Sequence, residues 1–277
     1  MTSDVSSSSD TDFELRLLLD AIFHKYCYDF RSYAGASLKR RITGALGRFG
    51  CETISQLQDR VLREPALFTE LLGYLTVQVS DMFRDPSYFK ALRQKVVPYL
   101  STYPSIKIWV AGCATGEEAY SLAIMLAEEG LLERTLIYAT DINPDCLRTA
   151  EDGVYDVDRF ARFSASYLEA GGRASLSDYY TAGYSSAVFD RSLKKAILFS
   201  DHSLATDSAF AEVQLVSCRN VLIYFERELQ EHALRLLHDS LCRKGFLGLS
   251  PKETLRFTSL ADAFVELVPE ARIYQRL

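Results

Sequence analysis

The sequence predicts an α/β protein, in which a parallel sheet with helices on both faces follows a smaller all-helical domain. Up to about residue 100, apolar residues recur at helical spacing and nothing alternates like a strand. From residue 106 onwards, short apolar runs that suit buried strands alternate with longer amphipathic stretches. Between residues 151 and 192 a stretch rich in Tyr, Ser and Gly interrupts this alternation, which indicates an inserted subdomain of short strands and a helix.

Helical patterns dominate the N-terminal part of the chain. The opening residues are small and polar, so we expect them to be disordered. Five helices are predicted. The first has Phe13 on its apolar face, the second is capped by Ser37, and the other three are Ile54–Leu62, Ala66–Leu75 and Pro86–Leu100. This pattern predicts a disordered tail at 1–12, a helical domain at 13–85 and a linker at 86–105.

The α/β domain is predicted over residues 106–277. Its strand candidates are Ile106–Ala111, Thr135–Thr140, Ala196–Ser200, Val213–Cys218 and Gly245–Leu249. Its helix candidates are Glu117–Glu129, Asn143–Ala150 and Glu226–Cys242. In a sheet of this kind, ligands bind at the carboxyl ends of the strands, where the first turns into helices are made.

Composition disfavours several classes of protein. The chain has 277 residues, 48% of them apolar, and a net charge of -6, which argues against nucleic acid as the main partner. Six cysteines and four histidines share no metal-ligand spacing, so we expect no metal site and reduced thiols in a cytoplasmic protein. No apolar run approaches the roughly 18 residues of a membrane span, and the N-terminus lacks the pattern of a secretion signal. We therefore expect no direct membrane insertion.

The turn after the first predicted strand, AGCATGEE at residues 111–118, is a candidate nucleoside site. Gly112 permits a tight turn and a close approach of the backbone to a ligand. Asp141 follows the second strand, where a carboxylate can accept both hydroxyls of a ribose. Since the helix begins with Glu117-Glu118, its carboxylates would repel a phosphate. This favours S-adenosylmethionine, which carries a sulfonium and an ammonium but no phosphate, over NAD and ATP.

Three further polar segments are candidates for the same site. Arg219 and Asn220 follow another predicted strand and are expected to face the crevice, while Tyr224 is placed to direct its hydroxyl at a transferred methyl group. Arg84, in TVQVSDMFR, is suited to binding a carboxylate bidentately. The alternatives are a core role for Tyr224 and a solvated position for Arg84.

The segment from Arg31 to Arg48 contains five basic residues and no acidic one. Arg41 and Arg48 are expected to share the face opposite the apolar stripe of the second helix. In an acidic protein this pattern indicates a docking surface for an acidic helix or a nucleic acid, and an ordinary solvated face is the alternative.

Three segments, AGCATGEEAYSLAI, ATDINPDCLRTAEDGVY and SCRNVLIYF, closely resemble the chemotaxis receptor glutamate methyltransferases of the CheR family. The resemblance runs from about residue 15 to the C-terminus and includes SLKRRI and DMFRD. It implies a helical N-terminal domain, a Rossmann-like methyltransferase domain that uses S-adenosylmethionine, and a small antiparallel subdomain inserted at about 151–192. The implied reaction gives glutamyl methyl esters on the cytoplasmic helical domain of a chemoreceptor, with S-adenosylhomocysteine as the other product. We expect a monomer.

The resemblance also assigns site residues. Cofactor contacts fall on Gln78, Ser80, Arg84, Glu118, Asp141, Ser203, Leu204, Arg219 and Asn220, and the turn after the first strand adds Gly112. Beyond the resemblance, we assign catalytic roles to Arg84 and Tyr224, and receptor docking to Arg40, Arg41 and Arg48. Gln78 and Ser80 replace the more usual Asn and Thr, Ser203 replaces Asn, and the C-terminal L-G-x-x-E-S-L reads LSPKETL at 249–255.

Other functions remain open at this point. One is a non-catalytic regulator that binds S-adenosylmethionine, and another is a methyltransferase of RNA or a small molecule on the same fold. The acidic pI of about 5.4 and the lack of a [DN]-P-P-[FYW] motif disfavour the second. A dehydrogenase is disfavoured by Glu117-Glu118.

Overall fold

A computed structural model describes the backbone of residues 3–277 and the side chains from Asp10 onwards. By their contacts the residues divide into two compact units. The first comprises the chain up to Val77 together with Tyr224–Gln230, and the second comprises Gln78–Ile223 and Glu231–Leu277. The division at Val77 lies before the boundary at residue 85 that the sequence predicts.

Helices build the first unit. They are α1 (Ser3–Tyr26), α2 (Gly35–Ala45), α3 (Ile54–Arg63) and α4 (Pro65–Leu75). Their apolar faces bury side chains such as Leu18, Ile42 and Leu71. Each of these helices includes a segment for which the sequence predicts a helix.

Two details of these helices differ from the sequence prediction. Helix α1 begins at Ser3, within the stretch 1–12 that was expected to be disordered, while Met1 and Thr2 lie outside the described residues. Extending a helix from a packed segment adds one hydrogen bond per residue, which favours this longer helix. Helix α2 begins at Gly35, before Ser37, and no side chain caps it.

A sheet of seven strands forms the centre of the second unit within the described chain. The strands are β1 (Ile106–Ala111), β2 (Thr135–Asp141), β6 (Ile197–Asp201), β7 (Val213–Ser217), β8 (Leu241–Gly248), β9 (Phe264–Val268) and β10 (Ile273–Arg276). Their order is β6-β2-β1-β7-β8-β10-β9. The first five strands in this order pair in parallel, and β10 pairs antiparallel to both β8 and β9.

The prediction of a parallel sheet with helices is therefore confirmed, and the C-terminal pair β9 and β10 is added to it. These two strands were not predicted because each is only four or five residues long and Pro269 follows β9 directly. Such short runs do not show a clear alternation.

The helices of the second unit follow the predicted alternation. They are α5 (Pro86–Ala91), α6 (Val97–Leu100), α7 (Glu117–Glu128), α8 (Pro144–Asp152), α9 (Phe160–Glu169), α10 (Arg191–Lys194) and α11 (Arg227–Ser240), whose first turn is part of the first unit. A π-helical stretch, Leu92–Val96, joins α5 to α6. This region was predicted as a linker helix, but Tyr88, Phe89 and Leu92 are buried in the core of the second unit.

The inserted subdomain is a small antiparallel sheet. Its strands β3 (Val154–Asp156), β4 (Tyr180–Ala182) and β5 (Ser186–Phe189) have the order β3-β5-β4. Phe160, Phe163 and Phe189 are buried in the core of the second unit, and Phe160 contacts the rings of the other two. The antiparallel insertion is thus confirmed.

Among the described residues, no helix is both long and apolar enough to cross a membrane.

Candidate active site

The turn between β1 and α7 is held tightly against its neighbours. Gly112 has a φ of 74°, and its N–H donates to the carbonyl of Thr140 at 2.8 Å. A Cβ at this position would lie 2.4 Å from Cγ2 of Val221, so packing against Val221 requires glycine here. The contact with Val221 is sufficient to explain why this position is glycine. The predicted contact of Gly112 with the cofactor stays a prediction.

Asp141, at the end of β2, fixes the conformation of that turn. Its Oδ2 accepts the N–H of Ala114 at 2.8 Å, and its Oδ1 accepts the N–H of Asn143 at 2.9 Å. Ala114 has a φ of 46°, an uncommon value for a residue with a side chain. Burial raises the pKa of Asp141 above its ordinary value, although these backbone N–H groups act in the opposite direction. Since a carboxylate oxygen accepts more than one hydrogen bond, Asp141 retains capacity for the hydroxyls of a ribose.

The two glutamates that open α7 are both paired with arginines. Glu117 is fully buried, where Oε1 lies 2.7 Å from Arg159 and Oε2 accepts from Thr115 at 2.7 Å. Glu118 pairs through Oε2 with Arg219 at 2.7 Å. Each of the two negative charges therefore has a cationic partner, which weakens the repulsion of a phosphate that the sequence predicts here. Glu118 keeps 13% of its side chain exposed and remains the accessible one of the two.

The side chain of Arg219 is buried among protein groups. Its side chain is only 1% exposed, and one terminal nitrogen donates to the carbonyl of Arg84 at 2.8 Å and to Oδ2 of Asp85 at 2.6 Å. The guanidinium also lies over the ring of Tyr88, 4.2 Å from its centroid. These contacts engage both terminal nitrogens with protein groups, and the predicted contact of Arg219 with the cofactor stays a prediction.

Arg84 lies between two residues in the left-handed region, Phe83 at a φ of 49° and Asp85 at 56°. Such conformations are strained for residues with side chains and are typical of functional sites. The Arg84 side chain is half-buried, and within the described residues its guanidinium has no hydrogen-bond or ion-pair partner. This arginine is thus available for an anion.

Glu253 is a site residue that the sequence reasoning did not single out. It is 4% exposed and accepts four backbone N–H groups. Three of them belong to Asn220, Val221 and Leu222, and the fourth to Ser250. Asn220 itself has a φ of 61°. The signal was present in the glutamate of LSPKETL, which matches the glutamate of the family segment.

The remaining predicted cofactor residues also lie in the second unit. Ser203 follows β6, where its N–H donates to Asp207 at 2.8 Å, and Leu204 is buried beside it. The carbonyl of Ser80 accepts from Arg159 at 2.6 Å, while the Gln78 side chain is exposed. The structure gives the surroundings of these residues, and their contacts with a cofactor stay predictions.

Tyr224 belongs to the first unit. Its carbonyl accepts the N–H of Ala34 at 2.8 Å, and its ring centroid lies 6.0 Å from the guanidinium carbon of Arg41. Its predicted role at the methyl centre stays a prediction.

Most of the five basic residues of 31–48 have partners within the protein, and their predicted role as a docking surface stays a prediction. Arg41 is half-buried and donates to the carbonyls of Leu75 at 2.7 Å and Ser37 at 3.3 Å, and burial lowers its pKa. Helix α2 ends at Ala45, so Arg48 does not share a helix face with Arg41. The ion pairs are Arg31 with Asp29 and Asp20, Lys39 with Asp12, and Arg48 with Glu70. Arg40 is exposed and, in the part of the chain that the structure describes, has no such partner.

Among the described residues, no group of three or more His, Cys, Asp or Glu side chains could hold a metal ion. The six cysteines are free thiols, and five of them are buried.

Family models match both parts of the chain. Residues 14–76 match "CheR methyltransferase, all-alpha domain", and residues 78–267 match "CheR methyltransferase, SAM binding domain". The chain belongs to the CheR methyltransferase family. Its fold is accordingly a Rossmann-like, S-adenosylmethionine-dependent methyltransferase domain with an all-helical domain before it.

Named relatives agree with this membership. The CheR-family chain is 56% identical over 272 residues to "Putative methyltransferase Cher3" of Pseudomonas putida, covering 98% of this chain and 100% of the relative. It is 29% identical to a "Chemotaxis protein methyltransferase" of Listeria innocua, over 82% of this chain and 84% of that one. It is 27% identical to "Chemotaxis protein methyltransferase 1" of Vibrio cholerae, over 88% and 92% of the two chains.

Proposed function

We propose that this CheR-family chain methylates glutamate side chains of a bacterial chemoreceptor, giving glutamyl methyl esters and S-adenosylhomocysteine. Family membership supports methylation with S-adenosylmethionine in chemotaxis, and the glutamate substrate is the further step of the proposal. The proposal of a glutamate substrate rests on one contrast within the site. Each oxygen of the site carboxylates has a hydrogen-bond donor or a cation beside it, whereas the Arg84 guanidinium has no partner among the described residues.

The side chains of the second unit fit S-adenosylmethionine, which has an ammonium, a carboxylate and two ribose hydroxyls. Glu118 is suited to the ammonium, Asp141 to the hydroxyls, and Arg84 to a carboxylate. The amide of Asn220 and the loop at Ser203 and Leu204 supply further polar and apolar contacts. When bound, the cofactor supplies an electrophilic methyl group on a sulfonium centre.

A glutamate substrate suits a site whose own carboxylates are engaged. A glutamate side chain has a pKa of about 4.3 and is already ionised at neutral pH, so no general base is needed. Glu117, Glu118 and Asp141 therefore bind and position groups, and none of them has to remove a proton. Because a guanidinium has five N–H donors, we assign Arg84 both to the cofactor carboxylate and to orienting the attacking glutamate carboxylate, and we assign Tyr224 to the surroundings of the methyl group. Catalysis then comes mainly from alignment of the reacting atoms and from exclusion of water.

We assign receptor docking to basic residues of the first unit, which are not expected to contribute equally. Arg40 is exposed and free of ion pairs in the described region, so it is the main candidate for contact with an acidic receptor helix. Arg48 is exposed but has Glu70 at 2.8 Å, and Arg41 donates to backbone carbonyls. These two contribute less to docking than the sequence pattern indicates.

The test is incubation of the purified protein with methyl-labelled S-adenosylmethionine and membranes that contain each chemoreceptor of the host. Esterification of glutamate predicts label that is released as methanol by mild alkali. Binding of the cofactor without alkali-labile label on any receptor would contradict the proposed reaction and would favour a non-catalytic regulator. Alkali-stable label would indicate a different acceptor group.

The role of Arg84 is tested in the same assay with Arg84→Ala. Loss of a charge-assisted contact of about 1.5–3 kcal/mol predicts a fall in kcat/KM of about 10- to 100-fold. Arg148→Ala is the matched control, since Arg148 is 73% exposed on α8 and pairs only with Asp145 within the described chain. Near-normal turnover and cofactor affinity in Arg84→Ala would show that Arg84 has no such role.

A further inference from the structure

Arg219 joins two separate parts of the proposed cofactor site. One terminal nitrogen contacts Oε2 of Glu118 at 2.7 Å, and the other contacts the carbonyl of Arg84 at 2.8 Å and Oδ2 of Asp85 at 2.6 Å. Glu118 opens α7, whereas Arg84 and Asp85 precede α5. A single buried side chain therefore fixes both segments relative to each other.

The partners of Arg219 are themselves held from the other side. Ser217 donates to Oε1 of Glu118 at 2.6 Å, and the hydroxyl of Tyr88 lies 2.8 Å from Oγ of Ser217. The ring of Tyr88 in turn lies under the guanidinium of Arg219. This closed set of contacts leaves Glu118 little freedom to move, since both of its oxygens have a fixed donor.

The shape of the guanidinium matters to this arrangement. Two terminal nitrogens on a rigid plane reach three acceptors in different directions, which a lysine ammonium on a flexible stem does not reproduce. The turn at Arg84 needs such support, because Phe83 and Asp85 both adopt left-handed backbone conformations that surrounding contacts must hold. Burial alone would lower the pKa of Arg219, but Glu118 and Asp85 outweigh it and keep the side chain charged.

Arg93 offers an internal comparison. It is 8% exposed and pairs with Glu128 and Glu129, at the opposite end of α7 from Glu118. Its partners stabilise the fold and have no role in the proposed site. Like Arg93, Arg219 is buried and pairs with two acidic residues. Unlike Arg93, it contacts residues of the proposed site, namely the backbone of Arg84 and the carboxylate of Glu118.

We propose that Arg219 is a positioning residue for the amino-acid end of the cofactor. It sets the spacing between the Glu118 carboxylate, assigned to the ammonium, and the Arg84 guanidinium, assigned to a carboxylate, without contacting the ligand through its own side chain. The inference rests on the proposed roles of Glu118 and Arg84 in cofactor binding. It does not depend on the identity of the methyl acceptor.

Two ligands separate this role from a general structural one. S-adenosylhomocysteine has the adenosine and the amino-acid end, whereas 5′-methylthioadenosine has the adenosine and lacks the amino-acid end. In the full-length protein, Arg219→Lys is expected to weaken S-adenosylhomocysteine binding by about 10-fold or more, the equivalent of about 1.4 kcal/mol. Binding of 5′-methylthioadenosine should change less than about 2-fold, because its contacts at Asp141 and Ser203 are not held by Arg219.

Arg93→Lys is the matched control and should leave the ratio of the two affinities unchanged. Calorimetric titration of both ligands, with a thermal melt of each variant, gives the result. Equal losses for both ligands in Arg219→Lys, or no loss for either, would overturn the proposal.

A second variant covers the case in which Arg219→Lys does not fold. Asp85 is 36% exposed, so Asp85→Asn is tolerated more readily, and it weakens the hold of Arg219 on the turn at Arg84. It should lower the affinity for S-adenosylhomocysteine more than that for 5′-methylthioadenosine, and an unchanged ratio would count against the proposal. Both measurements omit the receptor, so failure of the esterification assay would leave their outcome intact.

Discussion

Replacement of Glu253 by glutamine tests how the segment after β7 is held. In the native protein this carboxylate accepts the N–H groups of Val221 at 2.9 Å and Leu222 at 2.8 Å through Oε1. Through Oε2 it accepts those of Asn220 at 3.1 Å and Ser250 at 2.8 Å. Glutamine has nearly the same shape but presents one oxygen and one NH₂ group. Two of the four N–H groups must then face a donor instead of an acceptor.

The size of the effect follows from burial and charge. Glu253 is only 4% exposed, so water does not readily replace the lost acceptor. Hydrogen bonds to charged groups contribute about 1.5–3 kcal/mol each, so the loss of two predicts a decrease in stability of at least about 3 kcal/mol. For a chain of this size, that corresponds to a Tm lower by about 6–12 °C. Cofactor affinity should fall as well, since Asn220 is held in its left-handed conformation by this carboxylate.

Differential scanning calorimetry and titration with S-adenosylhomocysteine measure both effects. Glu266→Gln is the matched control, because Glu266 is 24% exposed, more than Glu253, and contacts the exposed Arg256 at 3.2 Å and Arg272 at 3.4 Å. The control is expected to shift Tm by less than about 2 °C, as is usual for exposed ion pairs. A Tm of Glu253→Gln within that range, with unchanged affinity, would refute the reasoning.

Three further changes have defined outcomes. Arg159→Met should lower the free energy of unfolding, measured in urea, by about 3–5 kcal/mol, because it leaves Glu117 buried without its cation. Adding Glu117→Gln should restore part of this loss. No recovery of stability in the double variant would contradict this account. Burial, and to a lesser extent the charge of Asp207, raise the pKa of Asp201. A raised pKa favours the protonated form in the folded state, so the contribution of Asp201 to stability is present at low pH and is lost as pH rises through the raised value. Asp201→Asn should therefore raise Tm at pH 7, with a gain that shrinks on acidification, and a gain that grows on acidification would show the opposite sign. Arg40→Glu should raise the KM for the receptor and leave S-adenosylhomocysteine affinity unchanged, whereas an unchanged KM would remove Arg40 from the docking surface.

The features that sequence predicts well here are local ones. The change from helical to strand-like spacing near residue 106 places β1, and the small residues after it predict the turn that Gly112 makes. Asp141 could be assigned to the site because parallel strands bring their carboxyl ends to one edge. Each of these inferences depends on residues that are close in the chain.

The pairing of charges could not be predicted in this way. The segment 31–48 reads as basic, yet its acidic partners come from elsewhere, such as Asp12 and Glu70. Glu117-Glu118 reads as an anionic pair, but Arg159 and Arg219 compensate it from 42 and 101 residues further along. The order of charges along the chain does not show which long-range ion pairs form, and these pairs determine the local electrostatic field.

The discontinuous first unit has a consequence for the order of folding during synthesis. Ala34 and Glu226 form backbone hydrogen bonds with Tyr224 and Ser32 at 2.8 and 2.9 Å, so this unit includes a segment made about 150 residues after Val77. At a synthesis rate of about 5–20 residues per second, the helices α1–α4 wait about 8–30 s for those partners. During that interval the carbonyl of Ser32 and the N–H of Ala34 lack the partners that they have in the folded protein, so the first unit is completed only late in synthesis.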